Sequence, residues 1–182
     1  MKVRYATMKS PVGPVAVAWK GSSIVAIQME ETKDRMGWGH EYRATSPEKR
    51  LRHTLEDRFD DFELEHAEPT ARVPKALARY FEGDVEAIDR VEVDPGGTPF
   101  QAKIWKRLRE IPAGATMTYG ELAASVGHPD GARAAGGAVG SNPIPIVIPC
   151  HRVIGSDGSL TGYGGGLRMK VWLLRHEGAL LA

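Results

Sequence analysis

The segment Asn142-Pro143-Ile144-Pro145-Ile146-Val147-Ile148-Pro149-Cys150 restricts this chain more than any other. Its stretch from Ile144 to Pro149 is the longest apolar run, yet Pro145 breaks it and Pro143 and Pro149 bound it. Proline lacks a donor N–H and disfavours the α conformation of the residue before it, so irregular backbone is expected here. That backbone leads into the single cysteine among 182 residues. One cysteine excludes an internal disulfide and any cysteine-built zinc site. No run approaches the roughly 20 apolar residues of a membrane helix. The N-terminus lacks the apolar core and cleavage site of a secretory signal, so the expected compartment is cytoplasmic. A 42% hydrophobic and 26% charged composition suits one compact domain or two small ones and argues against disorder.

The first thirty residues read as a strand meander. Val3–Met8, Val15–Trp19 and Ile24–Ile27 are separated by the turns Ser10-Pro11-Val12-Gly13 and Lys20-Gly21-Ser22-Ser23. Residues 31–45 are polar, contain Gly37 and Gly39, and are expected to form a surface loop. Ser46-Pro47 reads as an N-cap followed by proline at the first helical position, with Leu51, Leu55 and Phe59 on one face. A second helix is expected over Val73–Phe81, stopped by Gly83. Asp94-Pro95-Gly96-Gly97 reads as a linker. The fold class expected is α+β: a small N-terminal domain, 1–97, with an antiparallel sheet and helices, then a mainly helical domain, 98–182. In the second part Phe100, Ile104, Leu108 and Ile111 form a helical stripe ended by Pro112-Ala113-Gly114. Thr118 and Glu121 form a capping box. Helices over Tyr119–Val126 and Ala132–Val139, around His128-Pro129-Asp130-Gly131, make a helix-turn-helix. A glycine-rich loop spans Gly155–Gly166, and a last helix runs from Leu167 to His176.

The second of these paired helices offers little to a base reader. Sequence readout needs several long polar side chains, and here only Arg133 is long. Gly136 and Gly137 each cost about 1 kcal/mol of helix stability against alanine. Such a helix suits close approach: to a DNA minor groove, with Arg133 as probe and Val139 as a small apolar contact, or to its own core. The charge balance leaves the same choice open. The net charge of +1 hides 9 basic and 5 acidic residues from Thr98 onward, against 15 and 18 before it. That distribution suits a polyanion, or is ordinary surface variation.

Pro149-Cys150-His151-Arg152-Val153 carries the reactive groups. A thiolate is favoured by neighbouring His and Arg, although a lone cysteine is also a common inert core residue. Adjacent strand residues face opposite sides, so His151 acts on Cys150 only across a bend or through a water. Glu177, at the end of the last helix, sits unfavourably in the helix dipole. It either orients an imidazole or is a solvated surface carboxylate. Tyr163, among glycines, is a lid residue or a loop anchor. The glycine runs fit no phosphate loop, and no pair among the six histidines has metal-ligand spacing, so no metal is expected.

Together these segments resemble the O6-alkylguanine-DNA alkyltransferase family. The resemblance rests on Phe100-Gln101, Ile111-Pro112-Ala113-Gly114, Thr118-Tyr119-Gly120-Glu121, Arg133-Ala134-Ala135-Gly136-Gly137-Ala138, Ser141-Asn142-Pro143, Pro149-Cys150-His151-Arg152-Val153, Gly162-Tyr163-Gly164-Gly165-Gly166-Leu167 and Glu177-Gly178. It implies direct repair of duplex DNA containing O6-alkylguanine, by irreversible transfer of the alkyl group to Cys150 after the nucleotide is flipped out of the stack. It implies that His151 deprotonates Cys150, Glu177 orients His151, and Asn142 braces the bend. Arg133 would fill the gap in the duplex and Tyr119 would crowd the phosphate and donate to the guanine. Ala134, Gly136, Gly137, Val139 and Arg152 would meet DNA. Val153, Tyr163, Gly164 and Gly165 would line the base pocket. The chain departs from many members in having Gly164 where a serine follows the pocket tyrosine, which implies a roomier pocket. It also lacks the N-terminal cysteines with which some members bind zinc. The reading implies no cofactor, no membrane partner and a monomer. The competing readings are a damage sensor that binds alkylated DNA without repairing it, whose known form lacks the cysteine, and a Cys-His hydrolase.

Overall fold

The computed structural model describes residues 1–30, 46–68 and 71–180; the loop expected at 31–45 lies outside the described residues. Strands β1 (Lys2–Met8), β2 (Val15–Lys20) and β3 (Ser23–Met29) form the expected antiparallel meander. A fourth strand, β4 (Glu63–His66), was not anticipated and pairs parallel with β1, giving the order β3-β2-β1-β4. Its sequence, Glu-Leu-Glu-His, has too few apolar residues to show a strand pattern, and its charges suit an exposed edge. Helix α1 (Pro47–Glu56) starts where Ser46 accepts a hydrogen bond from the Lys49 amide. It ends before Phe59, which sequence spacing had placed on the helix. Helix α2 covers Arg72–Phe81.

The central strand is covered on both faces. Val15, Val17 and Trp19 enter one buried cluster, whereas Ala16 and Ala18 meet Leu51 and Leu55 of α1 on the other. On β3 strict alternation would turn Ile27 away from the face that takes Ile24. A bulge resolves this: Ala18 pairs with Ala26 and Trp19 with Ile24, so Val25 is the extra residue. Both isoleucines thereby reach the larger core, and Arg58 donates to the carbonyl of the bulged Val25 at 2.9 Å.

The second half contains α3 (Pro99–Arg109), β5 (Met117–Thr118), α4 (Tyr119–Ser125), α5 (Ala132–Gly140), a 3-10 turn at Cys150–Arg152, β6 (Val153–Ile154) and α6 (Leu167–His176). The Thr118–Glu121 capping box forms as expected, with amide-to-side-chain bonds of 2.8 and 3.2 Å. A second box, Thr98–Gln101, starts α3. Ile111, read as the end of the α3 stripe, lies in the turn after the helix yet is buried. Helix α5 packs on α3, and the Trp105 indole donates to the Ala138 carbonyl at 2.8 Å. Gly97, at φ +84°, lets the Trp105 ring lie where a side chain would stand.

The free edge of β3 joins the halves. At one end the Ile24 amide donates to the Glu92 carbonyl and the Asp94 amide to the Ile24 carbonyl, each at 2.8 Å. At the other the Ile27 amide donates to the Pro143 carbonyl at 2.8 Å. The sheet edge thus anchors the segment that carries Cys150. One buried cluster runs through both halves, from Val17 and Leu77 to Ile148 and Leu173.

Candidate active site

The proline-broken segment is irregular and almost wholly buried. Ile146 is the one non-glycine residue with positive φ (75°) among the described residues. For a β-branched residue this costs on the order of 1–3 kcal/mol, and complete burial of its side chain holds it there. Asn142 closes the bend: its amide nitrogen donates to the Ile148 carbonyl at 2.8 Å, and its oxygen accepts from the Ile144 amide at 3.0 Å. The segment then tightens into the 3-10 turn, so Cys150 and His151 are not opposed as they would be on a strand.

His151 and Arg152 both turn inward, at 0% and 2% exposure, and meet Glu177, which caps α6 at 8%. The surface alternative for Glu177 therefore falls. His151 Nε2 lies 2.9 Å from Glu177 Oε1. A carboxylate only accepts, so Nε2 carries the proton and Nδ1 keeps a lone pair. Nδ1 has no hydrogen-bond partner among the described residues. Arg152 grips the same carboxylate with Nε on Oε2 and Nη2 on Oε1, each at 2.8 Å, and donates Nη1 to the Ile111 carbonyl. Arg152 is thus corrected from a DNA contact to an internal clamp: its guanidinium is spent on buried acceptors.

Burial shapes the chemistry. It raises the Cys150 thiol, against the Asn142 hydrogen bond and the charge of Lys170, which lower it. It lowers His151, partly offset by the bond to Glu177. Glu177 is brought down to about 2, because hydrogen bonds from Arg152 and His151 outweigh the opposing effect of its own burial. The resting thiol and imidazole are therefore neutral, beside a carboxylate that stays charged.

Two members of this cluster escaped the sequence reading. Lys170 is fully buried on α6 and donates Nζ to the carbonyls of Val153 (2.6 Å) and Thr161 (2.9 Å). Burial lowers its pKa to about 8. A lysine among the buried Met169, Leu173 and Leu174 of one stripe was the available clue. Tyr80, on α2, donates its hydroxyl to Glu177 Oε1 at 2.8 Å; in sequence it looks like any core aromatic.

Cys150 opens onto a cavity of about 560 Å³, within the range that holds a compact ligand. Tyr119, Gly136, Val139 and Asn142 wall one side, and the loop Gly162–Gly166 with Tyr163 the other. Residues from the first half, Ile27 to Met29 and Arg50, complete the rim. A Cβ at Gly164 would meet open space, whereas one at Gly165 would collide with the Met169 sulfur. Val153 does not line this cavity; it is fully buried and its carbonyl faces Lys170. Val139, at 7%, belongs to the cavity wall and the core rather than to an outer face. Arg133, Ala134 and Gly137 are exposed on α5. Burial raises the Tyr119 hydroxyl, so it stays protonated. Among the described residues no cluster of His, Cys, Asp or Glu could hold a metal ion, and no helix is long and apolar enough to cross a membrane.

Residues 3–95 match the family model described as 6-O-methylguanine DNA methyltransferase, ribonuclease-like domain. Residues 99–179 match 6-O-methylguanine DNA methyltransferase, DNA binding domain. The chain is 45% identical over 173 residues to a methylated-DNA–protein-cysteine methyltransferase of Salmonella typhimurium, covering 94% of each. It is 39% identical to one of Mycobacterium tuberculosis, covering 96% of this chain and 92% of that one. A crystal structure of Mycobacterium tuberculosis OGT in complex with DNA superposes with a TM-score of 0.74 at 36% identity, covering 97% of this chain and 93% of that one.

Proposed function

The chain belongs to the 6-O-methylguanine DNA methyltransferase family, and from that premise we propose how its own residues perform the reaction. The activity is DNA repair by transfer of an alkyl group from O6-alkylguanine to a protein cysteine. The chain has one cysteine, so the acceptor is Cys150.

His151 Nδ1, directly or across one water, takes the proton of the Cys150 thiol. Glu177 holds the opposite ring nitrogen and stabilises the imidazolium that forms. The thiolate attacks the alkyl carbon, a carbon–sulfur bond forms, and the carbon–oxygen bond breaks with its electron pair moving to guanine O6. Tyr119, protonated and in the cavity wall, donates toward the guanine anion. Among the described residues no group beside Cys150 is able to reverse the thioether product, so each molecule acts once.

A stacked guanine is beyond reach of a thiol at the floor of a cavity, so the nucleotide must rotate out, at a cost of a few kcal/mol. Helix α5 suits this task in a minor groove: Ala134 and Gly137 are exposed and small, Gly136 sits beside Tyr119, and Arg133 is the one long probe. Double-stranded DNA is thus the partner, and the chain acts as a monomer without a cofactor. The observation that carries this reading is the buried Cys150-His151-Glu177 arrangement at the floor of a cavity walled by α5.

Intact-mass and peptide analysis after mixing with a duplex containing one O6-methylguanine tests it. One methyl on Cys150 per molecule, with guanine restored, is expected. Lesion binding without mass gain would favour the damage-sensor alternative.

A further inference from the structure

The acceptor site is completed by a residue from the other half of the chain. Tyr80 lies on α2, 97 positions before Glu177, and is fully buried. Its hydroxyl donates to Glu177 Oε1 at 2.8 Å, the oxygen that also faces His151 Nε2 at 2.9 Å and Arg152 Nη2 at 2.8 Å. Oε2 takes only Arg152 Nε among the described residues. Arg152 by itself meets the carboxylate with both prongs of its fork, so Tyr80 is not needed to neutralise it. The tyrosine instead shares the oxygen on which the histidine depends. Its packing is anchored independently: the ring lies edge-on to His176 at 5.1 Å, and the His176 ring approaches the Tyr80 carbonyl at 2.6 Å.

Resting on the transfer mechanism above, we propose that Tyr80 is a positioning residue for alkyl transfer, its hydroxyl setting how strongly Glu177 draws on His151. Donors compete for one carboxylate oxygen, so each weakens the hold of the others. With Tyr80 bound, Glu177 orients His151 while pulling less on its Nε2 proton, and the imidazole stays neutral and able to accept the Cys150 proton. Without the hydroxyl the carboxylate draws harder, the imidazolium is favoured earlier, and neutral base is lost at higher pH.

The groups that bear on this balance come from several elements. Tyr80 comes from α2 and Cys150, His151 and Arg152 from the 3-10 turn. Lys170, His176 and Glu177 come from α6 or its cap, Tyr163 from the glycine loop, and Asp89 from the segment after α2. Burial and the Glu177 carboxylate keep Tyr80 protonated, so it is a donor throughout the working range.

The test is single-turnover methyl transfer from duplex O6-methylguanine between pH 5 and 9. Three proteins are compared: the unaltered chain, Tyr80→Phe, and Leu77→Val as a packing control on the same helix. Tyr80→Phe should raise the midpoint of the acid limb by about half a pH unit or more, while Leu77→Val leaves it in place. 3-Fluorotyrosine at position 80, a stronger donor of the same shape, should move the midpoint down; it keeps the test decisive if Tyr80→Phe folds poorly. Unmoved midpoints, with rates equal or uniformly lower, would make Tyr80 a packing residue only. Absence of methyl on Cys150 in the unaltered chain would instead overturn the transfer mechanism, and this inference with it.

Discussion

At the residue scale, the reactive sulfur is set between opposing influences. Burial disfavours its charged form, while Asn142 and Lys170 favour it. Below its lowered pKa of about 8, Lys170 is the cation that acts on Cys150 from α6. Lys170→Met keeps much of the volume and removes the charge. Its Cys150 should react with iodoacetamide at pH 7 several-fold more slowly, because losing the cation raises the thiol further. Equal rates would mean that the charge does not reach the sulfur. The Pro-Cys-His-Arg run was legible in sequence because neighbouring residue types alone suggest a reactive thiol. The inward turn of Arg152 was not, since a charged residue near a DNA site looks like a phosphate ligand until its partners are seen.

At the element scale, α5 shows how composition fits a task. Its buried face, Ala135, Ala138 and Val139, packs against α3 and the cavity, leaving Arg133, Ala134 and Gly137 outside. Arg133 as a stand-in for an extruded nucleotide should matter only when a duplex must be opened. Arg133→Ala is expected to slow repair in duplex DNA roughly tenfold or more. Transfer from free O6-benzylguanine, which needs no flipping, should be unchanged. An equal loss on both substrates would place Arg133 in the chemistry or the folding instead. The helices α1, α2, α3 and α4 are read from caps, periodicity and glycine stops, because those are local signals. The strands β4, β5 and β6 were not: β5 and β6 are two residues each, and all three exist only through pairing with distant partners.

At the scale of the whole molecule, the buried Glu177 carboxylate joins the second half to the first through the Tyr80 hydroxyl. Glu177, held near 2 against an ordinary value of 4.5, links stability to pH with a definite sign. The native state favours the carboxylate, so its contribution is complete above about pH 4.5 and is lost as the pH falls toward 2. The size is on the order of 3 kcal/mol. Glu177→Gln strands Arg152 in the core and should cost about 3–5 kcal/mol at pH 7. Urea unfolding should show that difference shrinking between pH 4.5 and pH 2. A difference constant with pH would mean that Glu177 is not held in its charged form by folding.

The sequence by itself determined the alternation of β1 to β3, the capped helices, the irregular backbone before Cys150 and the resemblance that names its chemistry. Each depends on residues near one another in the chain, where propensity, spacing and proline geometry act directly. Tertiary structure alone decided that Val25 bulges so that Ile24 and Ile27 share a face, and that the edge of β3 carries the Pro143 segment. It also decided that Tyr80, Arg152 and His151 converge on Glu177 while Lys170 lies buried behind Val153. Those outcomes turn on which buried polar groups find partners, and a partner 97 residues away leaves no local trace.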